Sequence, residues 1–91
     1  MSTIIFDTPL HYPNKKGKWS HLVASDLDTL HAFAKKLGKS RSAFQNKKKK
    51  NKKEPHYDIQ ENLISLALSF GAKQVTRSEL LIFLKANYPI S

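Results

Sequence analysis

Thr3-Ile4-Ile5-Phe6-Asp7, followed at once by Thr8-Pro9, decides the fold class. The run is rich in β-formers and stops at a breaker, so it reads as a short strand. Its uninterrupted apolar trio, Ile4 to Phe6, suits a strand covered on both faces, as in α/β proteins. Ala72-Lys73-Gln74-Val75 reads as a second short strand, with helical segments between the two. A strand that returns after helices is most simply parallel to the first. The expectation is an α/β fold: a small single domain over residues 1–91, whose short, mostly parallel sheet of two or three strands is packed by three to four helices.

Working outward, residues 8–18 carry Pro9, Pro13 and Gly17 and read as a loop, and Trp19 to Val23 as a second extended piece. Ser25 is placed to cap a helix with Asp26 and Asp28 in its first turn, Lys35 and Lys36 in its last, and Gly38 beyond its end. Leu27, Leu30, Ala34 and Leu37 give that helix a buried face, with His31 at the edge. Residues 40–45 read as a short helical turn. Asn46 to Lys53 is a low-complexity, self-repelling run, so residues 46–54 are expected to form an exposed Lys-rich loop. Asp58, with Glu61 three residues on, reads as the capping box of a helix ended by Gly71 and lined by Leu63, Leu66, Ala67 and Phe70. Thr76-Arg77-Ser78-Glu79 is a second capping box, opening a helix that runs to about Asn87 before Pro89.

A chain of 91 residues holds one core. It has no cysteine, which excludes disulfides and thiolate metal sites. No apolar run approaches the roughly 20 residues that span a bilayer, and Met1 to Leu10 shows no secretion signal, so a cytoplasmic location follows by elimination. The net charge of +9 is concentrated: residues 15–53 carry +11, and each flanking part carries −1. Such a field attracts polyanions and speeds their capture.

Polar and aromatic residues gather where elements begin or end: Asp7, Trp19, His21, His31, Arg41, Phe44, Gln45, His56, Tyr57 and Asp58. In open α/β sheets ligands collect outside the carboxyl ends of the strands, where Asp7 would sit. Each residue also has a structural reading. His31 could be a helix-face histidine with a satisfied ring nitrogen, His21 a turn residue, Asp58 an N-cap, and Trp19 and Phe44 core. The lysines at 47, 48, 49, 50, 52 and 53 either embrace phosphates or only solubilise the loop.

Trp19-Ser20-His21-Leu22-Val23-Ala24, Leu30-His31-Ala32-Phe33-Ala34, Leu37-Gly38, Arg41, Phe44-Gln45, His56-Tyr57-Asp58 and Gly71-Ala72 stand in an order and spacing that resemble domain-of-unknown-function family 4031, a group of small bacterial and phage proteins. The resemblance runs from about residue 3 to residue 77. This chain departs from the family pattern at Ser25, where members have Asp, at Ala43, where they have a bulky aromatic, and near Leu63-Ile64, where they have a basic pair. It also adds the lysine run. The resemblance implies a shared pocket but no reaction.

Three functions remain open for such a site. The first is a binding protein for a phosphate-bearing, nucleotide-like small ligand. Trp19, Phe44 and Tyr57 would stack on a base. Gln45, Asp58 and the histidines would bond its polar edges, and Arg41 with nearby lysines would neutralise phosphate. Since the family includes phage proteins, sequestering a nucleotide signal of host immunity is one form of that role. The second is sequence-blind nucleic-acid binding through Lys47, Lys48, Lys49, Lys50, Lys52 and Lys53. The third is a small enzyme acting on a nucleotide, with a histidine as acid or base oriented by Asp7 or Asp58. Without a nucleophile motif or glycine-rich phosphate loop, binding ranks ahead of catalysis. No cofactor is implied, and the histidine spacing matches no metal motif. A homodimer with apolar contacts from Leu81, Phe83 and Tyr88 is left open.

Overall fold

A computed structural model describes residues 2–49 and 52–89. The chain runs β1 (Ile4–Asp7), β2 (Leu10–His11), β3 (Lys18–Ala24), α1 (Leu27–Lys36), β4 (Gln45–Lys49), β5 (Lys52–Gln60), α2 (Ile64–Ser69), β6 (Lys73–Val75) and α3 (Arg77–Asn87). Single turns of 3-10 helix at Arg41–Ala43 and Glu61–Leu63 precede β4 and α2.

All six strands among the described residues join one sheet, in the order β4-β5-β3-β1-β6, with β2 paired to β3. Only β1 and β6 are parallel among the described pairings; β1–β3, β2–β3, β3–β5 and β4–β5 are antiparallel. This corrects the expected short, mostly parallel sheet of two or three strands. The two ends of the chain's pattern, Ile4–Phe6 and Lys73–Val75, do make a parallel pair. The middle of the chain, however, supplies antiparallel strands that local signals concealed.

One concealed element is the lysine run. Instead of an exposed loop over 46–54, Gln45–Lys49 pairs with β5, so that Gln45 faces His56, Lys47 faces Glu54, and Lys49 faces Lys52. Lys50 lies outside the described residues. The other is the segment around Asp58, which caps no helix but sits inside β5, opposite His21. The alternation His56, Tyr57, Asp58, Ile59 marks it as a strand: Tyr57 and Ile59 are buried on one face, and His56 and Asp58 point to the other. Pro55, which has no N–H to donate, lies just beyond the last residue that β5 pairs with β3, Tyr57. The expected helical face at Leu66 and Phe70 is accordingly exposed, and of α2 only Ala67 is buried.

Both sheet faces are covered, unequally. On one, Phe6, Leu22, Tyr57 and Ile59 pack with Leu30, Phe33, Ala34 and Leu37 of α1 and with Ala67 and Ala72. Each of these large side chains contributes roughly 1.5–3 kcal/mol by leaving water. On the other, Ile5 and Val23 meet Leu80 and Leu84 of α3. Helix α3 starts from a complete capping box. The Thr76 hydroxyl accepts from the Glu79 amide at 3.1 Å, and the Glu79 carboxylate accepts from the Thr76 amide at 2.9 Å. Helix α1 is capped by Asp26, one residue beyond the expected Ser25. The domain is compact, with a Cα radius of gyration of 12.3 Å. Among the described residues no helix is long and apolar enough to cross a membrane.

Candidate functional site

Because α3 covers only part of its face, the remainder is open and forms a cleft of about 210 Å³ lined by Tyr12, Lys15, Trp19, Ser20, His21, Gln45, Glu54, His56, Asp58 and Arg77. Its floor is two neighbouring cross-strand pairs on one face of the sheet. Gln45 of β4 stands opposite His56 of β5, and Asp58 stands opposite His21 of β3. Next to His21, at the carboxyl end of β1, lies Asp7. The parallel pairing of β1 with β6 delivers the start of α3, and with it Arg77, to that same edge.

Asp7 is 1% exposed, yet charged partners satisfy it. It accepts from the His21 backbone amide at 2.7 Å and from Arg77 Nη1 at 3.1 Å, and its Oδ2 lies 2.9 Å from His21 Nδ1. Arg77 Nη1 also stands 2.9 Å from that ring nitrogen. A carboxylate only accepts and a guanidinium only donates, so the two contacts ask opposite roles of Nδ1; we assign it the proton, which gives the buried carboxylate donors from both His21 and Arg77, and the approach of Arg77 to the ring nitrogen is then a contact and not a hydrogen bond. Burial pushes the Asp7 pKa up, but the bonds from His21 and Arg77 outweigh it and hold the carboxyl below its usual range.

On β5, His56 Nδ1 lies 2.6 Å from the Glu54 carbonyl oxygen, which can only accept, so this nitrogen carries the proton. The other nitrogen, Nε2, faces Asp58 Oδ1 at 3.3 Å. Asp58 Oδ2 is occupied separately, accepting from Lys15 at 2.5 Å and from Gln45 Nε2 at 2.9 Å. Burial raises the Asp58 pKa, and its contacts with His56 and Lys15 lower it further than burial lifts it, so the group is ionised. The imidazoles of His21 and His56 meet edge to face at 5.1 Å, and Tyr12 meets His21 in the same way at 5.5 Å. Burial lifts the Tyr12 pKa, so its phenol stays protonated.

Lys15 reaches the cleft because Asn14 and Gly17 adopt positive φ, 68° and 73°, and fold the loop before β3 back over the sheet. Its ammonium sits 4.3 Å from the Trp19 ring centroid, and Lys39 approaches the same ring at 5.6 Å.

The structure thus gathers Asp7, Trp19, His21, Gln45, His56 and Asp58 at one place and sends the rest elsewhere. His31, Phe44 and Tyr57 form an aromatic group on the opposite sheet face. His31 lies 4.7 Å from Phe44 edge to face, and its Nδ1 is 2.8 Å from the Tyr57 hydroxyl. Burial raises the Tyr57 pKa and lowers that of His31, so Tyr57 stays protonated and donates to a neutral ring. Arg41 is exposed at the edge of this group, 5.7 Å from the Phe44 ring. The three histidines therefore share no site; His21 and His56 do. Lys53 is half-buried in β5.

Tyr12, Lys15, Glu54 and Arg77 escaped the sequence reading. For Arg77 a signal existed: it is the first residue of a helix that follows a strand parallel to β1, so it had to arrive beside Asp7. The other three are placed by strand pairing and a loop fold that no local pattern announces.

His21, His56 and Asp58 each offer a donor atom, and these atoms lie within 4.8 Å of one another. Their positions along the chain, 21, 56 and 58, form no metal-binding spacing, because the β3–β5 register and not a helical turn brings them together.

No curated protein and no solved structure matches the chain. A family profile does, over residues 4–87, and its description is protein of unknown function (DUF4031). Of the motifs on which the resemblance rests, Trp19 to His21, Gln45, His56 and Asp58 line the cleft, whereas Leu30 to Ala34, Phe44 and Tyr57 lie on the opposite face; the chain belongs to the DUF4031 family.

Proposed function

We propose that the cleft binds the phosphate-bearing end of a small, nucleotide-like molecule. The observation that carries this reading is the convergence of Arg77, Lys15, His21 and His56 with the rings of Tyr12 and Trp19 around one opening of about 210 Å³. Guanidinium and ammonium groups at the mouth suit phosphate oxygens, Arg77 in a forked geometry. Trp19 already holds a cation on its face, and a base or sugar could lie against the same ring. The volume suits a phosphate with part of a sugar better than a whole dinucleotide. Phe44 and Tyr57 take no part, since both belong to the opposite face. The lysine-bearing strands β4 and β5 adjoin the cleft at Gln45 and His56, and the chain's net charge of +9 would speed capture of an anion.

One observation favours a second reading, chemistry on the bound ligand. The buried Asp7 carboxylate fixes the His21 ring as an orienting acid fixes a general base, and leaves the other ring nitrogen for the cleft.

Calorimetry with inorganic phosphate and a panel of mono- and cyclic nucleotides tests the first reading. Heat is expected with at least one ligand, and Arg77→Gln should weaken it tenfold or more. No heat across the panel would end the proposal. Single-turnover assays on any ligand that binds, comparing the protein with His21→Gln, separate binding from catalysis.

A further inference from the structure

We propose that His21, His56 and Asp58 form a binding site for one divalent transition-metal ion of the zinc type, with an open coordination position facing the cleft.

The case begins with a contact that is incomplete as it stands. Nδ1 of His56 donates to the Glu54 carbonyl, so in the neutral ring Nε2 presents a lone pair. It faces Asp58 Oδ1 at 3.3 Å, which also presents lone pairs. A cation seated beside this pair would be met by both atoms. Geometry prepares the metal. The other carboxylate oxygen, Oδ2, is the one engaged by Lys15 and Gln45, so Oδ1 is kept for this role.

The third donor is aligned by the same device. His21 is anchored through Nδ1 to the buried Asp7, which leaves Nε2 as its ligand atom. A histidine whose far nitrogen is held by a carboxylate or a backbone carbonyl is the usual arrangement around bound metals, since it fixes the tautomer and makes the ligand more basic. Here both histidines have such a partner, one of each kind. Donor atoms of the three residues lie within 4.8 Å of one another. A tetrahedral zinc ion with bonds of about 2.0–2.2 Å would draw them to about 3.4 Å apart, a side-chain adjustment on a rigid sheet. Two imidazoles and one carboxylate suit zinc or a neighbouring first-row divalent ion over calcium or magnesium, and three protein ligands leave a position for water or a ligand oxygen.

Charge agrees. Around the cleft Asp7, Glu54 and Asp58 outnumber the fixed cations Lys15 and Arg77. A divalent ion reverses that balance.

The proposal stands apart from the ligand reading, because metal alone tests it. Protein stripped with chelator is titrated with Zn²⁺ by calorimetry and with Co²⁺ by visible absorption. One equivalent per chain is expected, with a rise in Tm on Zn²⁺ addition. His21→Gln, His56→Gln and Asp58→Asn should each weaken binding at least tenfold, and His31→Gln should leave it unchanged. Asp7→Asn, which only positions His21, should weaken it about 10–100-fold. Should a variant fail to fold, ¹⁵N spectra of the wild-type imidazoles decide: Zn²⁺ should shift Nε2 of His21 and His56 and leave His31 in place. No binding, binding unaffected by these substitutions, or shifts confined to other histidines would overturn the proposal.

Discussion

Asp58 stands opposite His21 across the β3–β5 pairing, although 37 positions separate them in sequence, and each is held by a different partner set: Asp58 by Lys15 and Gln45, His21 by Asp7, which Arg77 in turn engages. The cleft is therefore two polar clusters joined at one register position, and each cluster can be broken separately.

Asp7→Ala removes the acceptor of the half-buried His21 backbone amide and of Arg77. It should cost about 2–4 kcal/mol, read as a lower urea midpoint at unchanged slope. Asp7→Asn, which keeps an oxygen acceptor, should cost less. Equal stability of Asp7→Ala and the parent would contradict the role given to Asp7.

Stability should depend on pH through His31. Burial of the ring, helped by the nearby charge of Arg41, lowers its pKa in the folded protein, with Asp28 acting weakly in the other direction. The unfolded chain takes up this proton at about pH 6.5, and the folded chain does so only at lower pH. Between those points the unfolded state binds more protons, so stability is full above about 6.5 and falls as pH drops through the window. The stability difference between the parent and His31→Gln should therefore shrink from pH 8 to pH 5. The other histidines cancel in this comparison. A difference constant with pH would refute it.

The aromatic group on the helix side should matter to folding and not to the ligand. Tyr57→Phe deletes the hydroxyl that donates to His31 and should cost about 0.5–1.5 kcal/mol while leaving ligand affinity unchanged. Trp19→Ala should do the reverse, with a small effect on stability and a clear loss of affinity in calorimetry.

Thr76→Ala breaks the α3 capping box and should destabilise by about 1 kcal/mol. Because Arg77 is the next residue, phosphate affinity should fall as well, whereas Thr29→Ala at the remote start of α1 should leave affinity untouched.

Much of this was legible in the sequence, and the failures have specific causes. Ile4 to Phe6 announced a strand because an apolar run before a breaker needs no partner to be recognised, and Lys73 to Val75, set between Gly71 and a capping box after helical segments, announced its parallel partner. Thr76 and Glu79 announced a helix start because a capping box is local. Asp58 and Glu61 satisfied the same local pattern and misled, since strand pairing with β3 and β4 outweighed the cap. The lysine run looked unable to order itself, yet pairing of Lys47, Lys48 and Lys49 with Glu54, Lys53 and Lys52 supplies backbone hydrogen bonds that mutual repulsion does not cancel. The site divided for the same reason. His56, Tyr57 and Asp58 are adjacent in sequence, but strand alternation sends Tyr57 to the core and its neighbours to the cleft, so a contiguous motif serves two faces.

The central claim, that Arg77, Lys15, His21, His56 and Trp19 surround one anion-binding cleft, is tested most directly by an NMR titration. ¹⁵N-labelled protein is titrated with inorganic phosphate and then with the nucleotide that binds best. The expected result is a saturable set of shifts at Lys15, Trp19, His21, His56 and Arg77, with His31, Phe44 and Tyr57 unmoved. Shifts restricted to residues 46–53, or spread without saturation over the surface lysines, would contradict it.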